Sequence, residues 1–224
     1  MKKIIATLVW ASLVLSLSAQ PAEDLPADFL GQDFHQGRRQ ALREKLPPNS
    51  VAVFFANPVR NRSNDVDFTY HQDPNFYYLT GYKEPDAVLL IFKDKQTANN
   101  GTQYDEIIFV QPRNAQAEMW TGRRLGDEGV KSMLGLKEAF NNTDFKKYNV
   151  DFSKFQSVLF SDFTNDVRDN PLDSADLYSL IEQFKQKVNY PSKEAINLSR
   201  ETKINNLNTR ELPFIMGTLR GKKT

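Results

Sequence analysis

NDVDFTYHQDPNFYYLTGYKEPD, residues 64–86, sets turn, aromatic and acidic residues in an order that dictates local structure. Asp73 is suited to cap a helix, Pro74 to fill its first position and Gly81 to stop it, so a short helix is predicted over 74–80. Phe76, Leu79 and one or both of Tyr77 and Tyr78 then face a core. A buried tyrosine hydroxyl needs a partner, and Asp65, Asp67 and His71 are near enough in sequence to supply one. Glu84-Pro85 leads into a strand beginning at Ala87. Read this way, the segment is a core-organising corner without chemistry of its own. Asp65 and Asp67 are spaced to share a cation, but no His or Glu cluster accompanies them and the loop lacks the oxygen ligands of a calcium site. Ion pairs with Arg60 or Arg62, or hydrogen bonds within the loop, are their expected roles.

Outward from this corner, apolar and branched runs bounded by turn residues predict buried strands at 51–56, 87–92, 106–110 and 157–160. The polar turn KDKQTANNGTQ (94–104) joins two of them as a hairpin. Helices are predicted at 33–46, capped by Asp33 and stopped by Pro47-Pro48, at 127–136 and 151–155, and over 174–188, where Leu177, Leu180, Ile181, Phe184 and Val188 share one face. His35 is expected on the exposed face of the first. Strands mixed with helices indicate an α/β domain, a mixed β-sheet flanked by helices.

At the N-terminus, Lys2 and Lys3 precede an apolar run from Ile4 to Leu17 and then the small residues Ser16, Ser18 and Ala19, the arrangement of an export signal over 1–19. Cleavage is expected near Ala19, or after Ser18 with Ser16 at −3. The alternative is a retained anchor, although the run is shorter than the ~20 residues that span a bilayer. The mature chain is expected to be exported, periplasmic or secreted, and free of the membrane. Its remaining length of about 205 residues suits one domain. With 29 basic and 28 acidic residues the net charge is +1, which provides no general attraction for nucleic acid or anionic membrane. There is no cysteine, so disulfides, cysteine-based zinc sites and thiol catalysis are excluded, and the two histidines form no pair at metal-binding helical spacing. No Gly-x-Ser-x-Gly elbow or glycine-rich phosphate loop occurs.

A second distinctive stretch, EMWTGRRLG (118–126), follows the strand ending at Val110 and reads as a loop by composition, in which Trp120 on the plain reading plugs the sheet edge. Together, FYYLTG-x-x-EPD and E-x-W-x-G-R-R-L-G resemble the N-terminal domain of aminopeptidase P, the Xaa-Pro aminopeptidase that removes an N-terminal residue preceding proline. The resemblance runs over roughly residues 33–224 and implies an aminopeptidase P N-terminal domain at 30–197, with 198–224 as the linker to a catalytic domain expected after residue 224. Whether the chain is a fragment or the gene is interrupted stays open. The resemblance further implies that catalysis by two divalent ions, usually manganese, rests on two Asp, one His and two Glu of that other domain, so no catalytic or metal residue is expected here. It implies a homo-oligomer assembled through N-terminal domains, in which Trp120 packs on a peptide substrate with proline in second position and Arg123 or Arg124 pairs with a carboxylate of substrate or partner. One departure is His71-Gln72, where the family more usually carries Arg-Gln, so an ionic role does not transfer to that position. The rival is a stand-alone noncatalytic peptide-binding module, since related architectures occur in histone chaperones without peptidase activity.

Overall fold

Val51, Ala52, Val53 and Phe54 are all buried, as are Val88 through Phe92, a pattern that a strand adopts only when both faces of its sheet are covered. The computed structural model, which describes residues 30–98, 100–191, 203–204 and 206–221, contains such a sheet. Its central strands are β1 (Ser50–Phe55), β4 (Val88–Thr97) and β5 (Gln103–Val110), with β2 (Asn61–Ser63) and β3 (Val66–Asp67) forming a separate small hairpin. β6 (Ala139–Asn141), β7 (Ser157–Phe160), β8 (Lys203–Ile204) and β9 (Leu207–Asn208) complete a seven-stranded order β6-β5-β4-β1-β7-β9-β8. β1 is antiparallel to β4 and parallel to β7, so the sheet is mixed. The predicted hairpin is present, with β4 and β5 paired from Val88 opposite Phe109 to Thr97 opposite Gln103 across one irregularity.

Alternate side chains of these strands supply two cores. On one face Ala52, Phe54, Leu89, Ile91, Ile108 and Val110 meet α1 (Gln32–Lys45), α2 (Pro74–Thr80) and α4 (Gly126–Leu134). On the other, Val53, Leu90, Phe109 and Phe160 meet α5 (Leu177–Lys187) and the aromatic residues Phe145, Phe152 and Phe155. The α5 stripe is as its periodicity predicts, with Leu177, Leu180, Ile181, Phe184 and Val188 all buried. Over 151–155 the expected helix is a single 3-10 turn, Phe152–Lys154.

α2 also follows the prediction closely. Asp73 accepts from the N–H groups of Asn75 and Phe76, Pro74 opens the helix, and Gly81 ends it at φ 73°. α1 departs from prediction in two ways. Gly31 stands at its N-cap and no side chain caps it, so Asp33 lies inside the first turn. His35, expected outside, is 2% exposed, because the face turned inward carries His35 and Arg39 as well as Leu42. The inward polarity has a cause. The last carbonyls of a helix lack intrahelical donors, and Arg39 Nη1 donates to Leu79 O at 2.8 Å while His35 Nδ1 lies 2.9 Å from Tyr78 O. Arg39 Nε also binds Glu106 of β5 at 2.9 Å, so the guanidinium ties α1 to α2 and to the sheet.

The segment 198–224, expected as a linker, is described over 203–204 and 206–221, where it supplies β8, β9 and α6 (Glu211–Gly221). Asn208 Oδ1 accepts from the N–H groups of Arg210 and Glu211 at the start of α6, and Leu212, Ile215, Met216 and Leu219 join the first core. The proposed signal segment 1–19 lies outside the described residues. Among the described residues no helix is long and apolar enough to cross a membrane.

Candidate functional site

The turn from α2 into β4 is built on two carboxylates. Asp86 has φ 54°, a left-handed conformation that costs strain for most side chains and less for aspartate. Its Oδ1 accepts from Leu177 N and its Oδ2 from Gln111 Nε2, while its carbonyl accepts from Asn142 Nδ2. One residue thereby joins the entry to β4, the end of β5, the 3-10 turn after β6 and the start of α5. Burial pushes the Asp86 carboxyl up to about 6 despite the two donors that favour its charged form.

Glu84, two residues earlier, reaches the other way. Its Oε2 accepts from the Tyr82 hydroxyl at 2.9 Å and its Oε1 from the backbone N–H of Leu125 at 2.8 Å. Its carbonyl accepts from Gln72 Nε2, whose own Oε1 accepts from Tyr70, Asn57 and Asp73. Burial raises the Glu84 carboxyl above the usual range, opposed by the Leu125 and Tyr82 bonds and by the nearby Arg124 charge. The fully buried Tyr82 hydroxyl is raised well above its ordinary value, first by burial and then by the Glu84 charge.

Leu125 is the last residue but one of the segment 118–126. Much of that segment is helical rather than the loop composition suggested: α3 (Ala115–Thr121) is capped by Asn114, whose Oδ1 accepts from Gln116 N and Ala117 N. Glu118 clamps its start, accepting from Arg113 Nε at 2.7 Å, Arg113 Nη2 at 2.9 Å and Asn114 N at 2.9 Å. Bonding to Arg113 holds the Glu118 carboxyl below the usual carboxylate range, helped by the backbone of Arg124. α3 buries none of its residues. Trp120 is 89% exposed and Met119 75%, so Trp120 does not plug the sheet edge. Arg123 is exposed and Arg124 half-buried. The three residues singled out from sequence therefore sit on the end of α3 and the connector after it, anchored by Glu84 and Glu118, an anchoring role that the two signature stretches do not reveal. The usable signal was a pair of acidic residues, Glu84 and Asp86, placed immediately before a wholly apolar strand.

Elsewhere the expected partners differ. Arg60 pairs with Asp166 at 2.7 Å instead of Asp65 or Asp67, while Asp67 takes the other expected role, accepting from Asn61 Nδ2 within the β2–β3 hairpin. The Tyr78 hydroxyl meets Arg38, and the ring of Tyr77 packs edge-on to His35. A cavity of about 100 Å³ at the ends of β1 and β7, lined by Asn57, Asp73, Asn75 and Asp162 among others, contains none of Trp120, Arg123 and Arg124. Among the described residues no three His, Cys, Asp or Glu side chains converge as metal ligands, so these residues do not fit a pair of manganese ions.

Residues 35–159 match the family model described as aminopeptidase P, N-terminal domain. The chain is similar to the Xaa-Pro aminopeptidase of Escherichia coli (strain K12), 42% identical over 108 residues that make up 48% of this chain and 23% of the relative. It is similar to the Xaa-Pro aminopeptidase of Haemophilus influenzae, 35% identical over 116 residues, 52% of this chain and 26% of the relative. The chain thus spans about a quarter of the length of these relatives. Among solved structures, E. coli aminopeptidase P with the inhibitor Pro-Leu superposes with a TM-score of 0.52 at 28% identity, over 72% of this chain and 35% of that one. Pseudomonas aeruginosa aminopeptidase PepP superposes with a TM-score of 0.60 at 22% identity, over 82% of this chain and 37% of that one, a likeness of fold.

Proposed function

The chain belongs to the aminopeptidase P N-terminal domain family, and from that membership we propose that it is the noncatalytic N-terminal part of an exported Xaa-Pro metalloaminopeptidase. In this reading the domain supplies oligomer contacts and a rim over which a peptide with proline in second position reaches a catalytic centre held by other residues. Trp120 packs against the peptide, and Arg123 or Arg124 pairs with a carboxylate of peptide or partner. The manganese ions belong to the other domain.

The observation that carries the proposal is the exposure of Trp120 on a helix with no buried residue, inside the family-matched span. A large aromatic left in water forgoes about 2 kcal/mol of burial, and contact with a ligand or partner recovers it. The test has two parts. A transcript that continues the frame past Thr224 into a domain with two Asp, one His and two Glu ligands supports the peptidase, and one that stops there favours the peptide-binding module or a pseudogene. In the joined polypeptide, hydrolysis of an Ala-Pro peptide by the parent and by a Trp120→Ala variant measures the rim.

A further inference from the structure

A helix without fully buried residues gains little from packing, so beside the Leu125 side chain that rests on the first core, polar bonds at its two ends give α3 its seat. Its start is held through Glu118, bonded to Arg113 and Asn114. Its far end runs through Gly122, at φ 84°, into residues 123–125, where Leu125 N–H is received by the Glu84 carboxylate. Glu84 is fixed in turn by the Tyr82 hydroxyl, on a side chain with no exposed surface, and its carbonyl is held by Gln72. The chain of contacts thus runs from the core, through Tyr82 and Glu84, to the turn that carries Trp120, Arg123 and Arg124.

We propose that Glu84 is the positioning residue of the Trp120 turn, setting where the indole stands by receiving the Leu125 amide on a carboxylate braced by Tyr82. Its importance for peptide handling rests on the rim reading of Trp120, but the positioning itself is measurable without peptide. Two features make Glu84 the controlling group. Its side chain bonds both to a fully buried residue and to the connector after α3, and the glycine at 122, with φ 84°, puts a permissive backbone position between α3 and the point where Glu84 holds that connector.

The chain has two tryptophans, Trp10 and Trp120, so Trp10→Phe in the full chain makes Trp120 a sole reporter. In that background Glu84→Ala is expected to lower the fluorescence anisotropy of Trp120 and to speed amide exchange across 117–125 by about tenfold, with β4 and β5 amides unchanged. Glu84→Gln, which keeps an acceptor for Leu125 N–H, is expected to restore both. If Glu84→Ala does not fold, Tyr82→Phe carries the test, because it removes the brace from the carboxylate while filling the same space. Local exchange at 122–125 faster than in the parent then supports the proposal. Parent-like anisotropy and exchange in a folded Glu84→Ala, or in Tyr82→Phe where the alanine variant does not fold, overturn it, as does uniform acceleration of 117–125 together with β4 and β5. The rim reading fails separately, if Trp120→Ala leaves peptide hydrolysis unchanged.

Discussion

Trp120 stands in water and Asp86 is half-buried in a hydrogen-bond network, and each gives a residue-level test. Truncating an indole that is 89% exposed opens no cavity, so Trp120→Ala should cost under about 0.5 kcal/mol and move the melting temperature by less than about 3 °C. In the polypeptide joined to its peptidase domain, the same variant should lower kcat/KM for Xaa-Pro peptides. A large melting shift with unchanged kinetics would refute the rim reading. Asp86 gives the second test, with a folded-state carboxyl raised from its ordinary 3.8 to about 6. The folded form therefore keeps a proton that the unfolded form has released between those values. The contribution of Asp86 to stability is present in full below pH 3.8 and is lost as pH rises through 6, by roughly 3 kcal/mol at most. Asp86→Asn keeps a residue that tolerates the left-handed backbone, and should reduce the pH slope of unfolding free energy between pH 4 and 6 by about one proton. Urea titrations of both proteins across that range check it, and identical slopes would mean that Asp86 titrates normally.

At the scale of elements, legibility follows from where hydrogen-bonding needs are met. α2 was readable because its start and stop are local: Asp73 bonds its own first turn and Gly81 takes φ 73°. Asp73→Ala should accordingly cost about 1 kcal/mol in urea denaturation, whereas Asp73→Asn, which retains an acceptor oxygen, should cost less. The inward α1 face does not show in the sequence because His35 and Arg39 are polar but serve the carbonyls at the end of α2, and a count of apolar residues cannot foresee a partner some forty positions away. α3 left no periodic trace because it buries nothing, and the Gly122-Arg123-Arg124 stretch that follows it has loop composition. β6, β8 and β9 are too short to show a pattern alone and form as extensions of strands already paired.

For the whole molecule, the mixed sheet with helices on both faces was legible because the central strands are continuous apolar runs, which require cover on each side. Within the candidate site, Trp120, Arg123 and Arg124 were legible through the family resemblance alone, and their anchoring through Glu84 and Glu118 emerged only when distant segments were brought together. The same assembly bears on what this chain does unaided. Its sequence has no cysteine and two histidines. His35 is 2% exposed with Nδ1 against the Tyr78 carbonyl, and His71 lies exposed beside the β2–β3 hairpin. Two manganese ions held as the resemblance describes need five converging ligands with a histidine among them, and among the described residues not even three candidates converge. The chain by itself is therefore expected to retain no stoichiometric manganese after dialysis and to leave an Ala-Pro peptide intact, with or without added manganese. Elemental analysis beside a peptidase assay decides the matter. Stoichiometric metal together with hydrolysis would place the catalytic centre in this chain and overturn the division of labour between its domain and the peptidase proper.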